Sequence, residues 1–144
     1  MQDDDLAEEE LKRIDHLIFV TLKYTRTVDI IKTILQKFIL TIDYKIEQFY
    51  NVQYNIEKIK DIPLVPMVRL KNLERLHPHD KKIKDMVDFY MTLKKICNAE
   101  QRAKEEYRKN VTLVTKEQEV NIPKLKEYVE KTKEYVQYLD GLMK

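Results

Sequence analysis

Pro123-Lys124-Leu125-Lys126-Glu127-Tyr128-Val129-Glu130-Lys131-Thr132-Lys133-Glu134-Tyr135-Val136-Gln137-Tyr138-Leu139 repeats one arrangement turn after turn. Leu125, Tyr128, Val129, Thr132, Tyr135, Val136 and Leu139, followed by Leu142 and Met143, recur at three- and four-residue steps with Lys and Glu between them. That spacing puts the apolar side chains on one face of a helix. Pro123 suits the first turn, where its missing N–H costs nothing, and Glu127 stands four residues before Lys131 as an ordinary supporting pair.

The same spacing extends back through the chain. Ile83, Met86, Val87, Tyr90, Leu93 and Cys97 form a stripe that drifts through Ala99 and Ala103 to Tyr107, predicting a helix over 79–110 with Asp80 as its N-cap. Residues 6–60 hold no Gly and no Pro, and carry one stripe from Leu11 to Leu22 and another from Val28 to Phe49. A single helix over that stretch would be ~80 Å long, too long for a compact domain of this size. A break is expected at Tyr24-Thr25-Arg26-Thr27, with Thr27 capping a new helix; one bent, continuous helix is the competing reading. Pro63, Pro66 and Pro78 delimit a connector in which Met67, Leu70, Leu73 and Leu76 form a short helix starting at Pro66. Val111-Thr112-Leu113-Val114-Thr115 and Glu119-Val120-Asn121-Ile122 are β-branched enough for a hairpin, although no Asn-Gly or Asp-Gly turn joins them. The fold expected is all-α: one domain over 1–144, an antiparallel bundle of about four main helices with a short connector helix and room for a small β-hairpin before the last helix.

Composition agrees. The 144 residues contain one Gly, four Pro, one Cys and no Trp, with 36% charged. Phosphate-binding loops, tight hairpins and barrels need positive φ, which Gly supplies most cheaply, so Rossmann, P-loop and many-stranded β folds are set aside. Cys97 alone cannot form an intramolecular disulfide. The acidic start has neither the basic nor the apolar segment of a signal peptide, and no apolar run approaches the ~20 residues of a membrane span, so a cytoplasmic location is expected. The first ten residues hold six acids and no base, leaving the rest of the chain strongly basic although the total is +2. An acidic helix start is the simplest reading, because carboxylates favour the positive end of a helix dipole.

Few residues carry obvious chemistry. The chain has no Ser, and Cys97 lies on an apolar face, which removes the usual nucleophiles. His77-Pro78-His79-Asp80 is read as a capping turn rather than a metal corner, and His16 as a helix side chain rather than a base. No cofactor or metal is expected. Lys23, Tyr24, Arg26 and Asp29 interrupt the apolar periodicity. Arg26 and Asp29 are expected to pair across the helix junction, and a small anion or nucleotide site with Arg26 as clamp and Tyr24 beside it is the functional alternative. Arg69, Lys71, Arg75, Lys81, Lys82 and Lys84 gather within 69–84 against only Glu74 and Asp80. Such a basic stretch, facing water, can hold nucleic-acid phosphates without reading sequence.

The stretch Asp15-His16-Leu17-Ile18-Phe19-Val20-Thr21-Leu22-Lys23-Tyr24-Thr25-Arg26-Thr27-Val28-Asp29-Ile30-Ile31, with the Tyr-rich last helix, resembles small archaeal all-helical proteins and, more distantly, the HEPN-type helical bundles. The resemblance implies a bundle, often dimeric. HEPN ribonucleases carry an Arg, four to six residues, then a His; here Arg75 to His79 encloses three and Arg69 to His77 seven, so the activity is not carried over.

The function expected is therefore a non-catalytic helical interaction or assembly module, with an RNA-binding module using 69–84 as the alternative and a divergent HEPN-type ribonuclease third. Phe19, Val20, Ile30, Ile34, Ile39 and Leu40 lie off the main stripes, so a two-fold homodimer through the first two helices is expected, beside a protein partner of unknown identity.

Overall fold

The computed structural model describes residues 5–56 and 61–144. The rest of the acidic start and the end of the 6–60 stretch, residues 57–60, lie outside the described residues. The described residues form five helices and one small sheet.

Helix α1 (Leu6–His16) runs on through a π-helical turn (Leu17–Thr21) into a last α turn (Leu22–Tyr24). Asp5 caps it, its Oδ1 accepting the Glu8 N–H at 3.1 Å, and Glu8 and Glu9 sit in the first turn where the dipole favours them. The helix stops where Thr25 turns extended, at φ −133°, and α2 (Val28–Asn55) begins with Thr27 as its cap. The break thus lies where two β-branched threonines flank Arg26, and the continuous-helix reading is set aside.

Helix α2 is the hub. It packs against α1, α3 (Pro66–Leu76), α4 (Lys81–Asn98) and α5 (Ile122–Leu142). Its buried residues include Ile31, Ile34, Leu35, Phe38, Ile39, Ile42 and Ile46, so it is apolar on more than one side because neighbours of its own chain cover those sides. Pro66 opens α3, Asp80 caps α4 through the Ile83 N–H, and Asn121 caps α5 through the Lys124 N–H.

The third main helix is shorter than the 79–110 expected. It ends at Asn98, and Ala99 is extended. Between Cys97 and Tyr107 the stripe positions hold only Ala99 and Ala103, too little apolar surface to hold a further three turns against the core. The residues beyond form a strand instead: β1 (Arg102–Lys104) pairs antiparallel with β2 (Thr112–Val114), which pairs with β3 (Glu119–Asn121). Ala103 faces Leu113, and Leu113 faces Val120. The anticipated hairpin is therefore a three-stranded sheet. Its β2–β3 turn is closed without glycine: Thr115 N–H donates to the Gln118 carbonyl at 2.8 Å, and Gln118 N–H to the Thr115 hydroxyl at 3.0 Å. Val111 and Leu113 are fully buried and seat the sheet on α2.

Polar groups lock the helices at chosen points. Lys45 of α2 is wholly buried, and its ammonium donates to Asp5 Oδ2 at 3.0 Å, Gln48 Oε1 at 2.8 Å and Asp140 Oδ1 at 2.7 Å. All three protons are satisfied, and the starts and ends of α1 and α5 are brought to one atom. Buried Glu10 joins Arg13 at 2.6 Å to Lys37 at 3.1 Å, tying α1 to α2. Tyr90 donates to Asp43 at 2.7 Å, and Tyr138 to the capping carboxylate of Asp80. Among the described residues no helix is long and apolar enough to cross a membrane.

Lys45 is the buried member of its cluster, whereas the Asp5 and Asp140 side chains are 36% and 40% exposed. Removing Asp140 leaves the buried ammonium short of one carboxylate and one acceptor; removing the base leaves carboxylates that water reaches. Asp140→Ala should therefore cost about 3 kcal/mol and Lys45→Met distinctly less, read by urea unfolding at neutral pH. Burial pushes the Asp5 carboxyl up, but the Lys45 hydrogen bond, the Glu8 N–H and the Lys45 charge together hold it below its ordinary value of 3.8. Its contribution is thus present above that pH and lost as pH falls through the lower folded value, and Asp5→Asn should flatten this acid limb.

Candidate functional site

The basic stretch is divided between two helices. Its residues lie on α3 and α4, on either side of the turn 77–80. Arg69, expected to face water, is buried. Its guanidinium donates through Nε to the Pro63 carbonyl and through Nη1 to Glu47 at 3.0 Å, while Tyr50 donates to its backbone carbonyl at 2.9 Å. Arg69 therefore clamps the connector onto α2; its spacing from Leu70 and Leu73 puts it beside the buried face of a helix too short to keep it clear. Lys82 is half-buried and paired with Glu134 of α5. Lys71, Arg75, Lys81 and Lys84 remain exposed. His77-Pro78-His79-Asp80 is a capping turn: the Asp80 N–H donates to the His77 carbonyl at 3.1 Å, and His77 Nδ1 lies 3.0 Å from the Leu73 carbonyl. Among the described residues no three His, Cys, Asp or Glu side chains gather as metal ligands.

The junction residues are also rearranged. Arg26 and Asp29 form no ion pair, and Tyr24 and Asp29 point into solvent. What stitches the junction comes from the β1–β2 loop: the Glu106 carboxylate accepts the Val28 N–H at 2.9 Å, and the Tyr107 N–H donates to the Arg26 carbonyl at 2.7 Å. Arg26 Nε is buried and has no partner among the described residues. A carboxylate at the first free amide of α2 satisfies the helix dipole better than Asp29 could from within the helix. Sequence spacing had no means of linking residues 26 and 107.

One cleft of about 450 Å³ lies between α4 and α5. Its floor is aromatic: Phe89 meets Tyr128 edge-on at 5.2 Å and Tyr135 at 5.6 Å, with the Lys131 ammonium 5.8 Å from the Phe89 ring. Asp85 and Asp88 stand at its rim beside the Lys82–Glu134 pair. Burial pushes the Tyr128 and Tyr135 hydroxyls up, so they stay neutral donors through the physiological range. The cleft supplies aromatic faces, hydroxyls and charges of both signs with one more acid than base, and no nucleophile beside a base. In the sequence Tyr128 and Tyr135 read only as members of the last helix's core stripe, and Phe89 belongs to no stripe. Elsewhere, burial pushes Asp43 and Tyr90 both upward, the partly hidden carboxylate and its phenol sharing one hydrogen bond between α2 and α4. Burial likewise pushes the half-buried Cys97 thiol up, keeping it protonated and weakly nucleophilic at neutral pH.

The placement of the basic residues separates them by substitution. Arg69→Ala should destabilise the chain by about 2 kcal/mol by leaving a buried carbonyl without its donor, whereas Lys71→Ala should stay within about 0.5 kcal/mol, measured by chemical unfolding.

No family model, no curated protein and no solved structure matches this chain.

Proposed function

We propose that this chain is a non-catalytic, cytoplasmic interaction module, an antiparallel helical bundle around α2 that associates with a second copy of itself. The observation that carries the reading is an exposed aliphatic ridge. Leu64, Val65, Val68 and Leu76 all stand in solvent around α3. On a helix Val65, Val68 and Leu76 fall on one side, next to the buried side formed by Arg69, Leu70 and Leu73. A ridge of this kind is self-complementary, and a two-fold axis is the simplest way to cover it twice.

The contact proposed on α3 differs from the one sequence patterning suggested. Ile34 and Ile39 are buried inside the subunit and Ile30 and Leu40 half-buried, leaving Phe19 and Val20 as the exposed pair of the first two helices. The protonated Cys97 and the absence of Ser from the sequence support a role that works through surfaces.

Light scattering at ~50 μM should give the mass of a dimer. The double substitution Val68→Asp with Leu76→Asp should return a monomer whose circular dichroism is unchanged, because both side chains already face water. A monomeric parent chain at that concentration rejects the proposal.

A further inference from the structure

We infer that the surface formed by the Tyr24–Thr27 junction and the β1–β2 loop binds single-stranded nucleic acid, bases stacking on Tyr24 and Tyr107 and phosphates held by the lysines and arginines around them. The inference rests on the reading of the chain as an interaction module and adds to it a partner and a second surface, away from the α3 ridge.

Two aromatic rings are presented to solvent with nothing to cover them: Tyr24 is 84% and Tyr107 77% exposed. They are far apart in sequence, yet the hydrogen bond from the Tyr107 N–H to the Arg26 carbonyl, 2.7 Å long, ties the Tyr107 backbone to the junction two residues after Tyr24. Tyr107 is held out by a loop in an unfavourable conformation. Glu105 and Tyr107 have φ of 57° and 68°, the left-handed region that side chains other than Gly and Asn avoid. The loop keeps this shape because it is pinned at several points: Glu106 to the Val28 N–H, Tyr107 to Arg26, the Arg108 N–H to the Glu105 carbonyl at 3.2 Å and the Val111 N–H to the Arg108 carbonyl at 3.0 Å. A rigid, exposed ring loses little freedom when a base stacks on it.

Charge points the same way. Lys23, Arg102, Lys104, Arg108 and Lys109 are all exposed, and none makes an ion pair among the described residues. Over 23–26 and 102–109 the acids are Glu105 and Glu106, and Glu106 spends its carboxylate on the α2 amide. Asp29 and Glu100 flank the patch. Arg26 adds a guanidinium whose Nε–H is buried and has no partner among the described residues. Unlike 69–84, where Arg69 and Lys82 are consumed by Glu47 and Glu134, this surface keeps its cations available. A duplex would hide the base faces that the tyrosines offer to stack on, and an acidic peptide would leave the rings unused. Single strands alone use both features.

Fluorescence anisotropy with labelled twelve-nucleotide oligouridylate and oligothymidylate at ~50 mM salt tests the inference on the full chain. Binding to at least one strand is expected, with a log–log salt slope near two to three, from three or four phosphates at ~0.7 each. Tyr24→Ala and Tyr107→Asn should each weaken it about tenfold, the asparagine chosen because it tolerates the left-handed backbone; Tyr24→Phe should bind as the parent does. Arg108→Gln with Lys109→Gln should lower the slope by about one, while Arg75→Gln with Lys81→Gln and Lys84→Gln should change nothing. No binding at ~100 μM protein overturns the inference, as does binding indifferent to both tyrosine substitutions, binding moved by the 75–84 substitutions instead, or equal affinity for an oligoglutamate of matching charge. The α3 ridge is untouched by these variants. A dimer that fails to bind strands rejects this surface alone, and a monomer that binds them rejects the dimer alone.

Discussion

A single buried ammonium sets how the helices of this chain lie together. Lys45 sits on the central helix with no solvent exposure, and its three protons point to the first turn of α1, to its own helix and to the end of α5. An apolar side chain at this place would have packed as well and given comparable stability. It would not have distinguished one axial offset of α1 or α5 from another, since leucine and isoleucine stripes tolerate sliding by a turn. Three oxygens around one nitrogen accept only one offset, and Glu10 with Lys37 repeats the restriction further along α1. Apolar burial supplies the cohesion, and these few charges supply the register.

What the sequence revealed and what it hid follow the same division. Stripes and caps were readable because they are local: Thr27, Asp80 and Pro123 all stand where their preferences put them. The hairpin 111–122 was readable from its β-branched run. Strand β1 was not, because Arg102-Ala103-Lys104 has no strand character of its own and is extended only because β2 needs a neighbour. The fate of the cations was equally hidden. Arg69 and Lys71 look alike in sequence, yet Arg69 reaches Glu47 and the Pro63 carbonyl while Lys71 meets water. Charge counted along a chain does not say which charges are already spoken for. Tyr24 and Arg26 stood out because they broke a pattern, but the loop that completes their surrounding lies after β1, and no periodicity connects the two.

The surfaces left over divide by chemistry. The α3 ridge is aliphatic, the cleft between α4 and α5 is aromatic with charges of both signs, and the loop over the α1–α2 junction is aromatic with surplus positive charge.

The cluster at Lys45 also orders events during synthesis. Asp5 and the lysine leave the ribosome early, as part of a helical pair that can begin to form at once. Asp140 emerges only after the sheet and nearly all of α5 have been made. Until then the ammonium lacks one of its three acceptors, and water supplies the third. The last helix is therefore the element whose arrival allows the first two to dry out, and a ribosome paused before it would hold a chain with native helices and a wet interior.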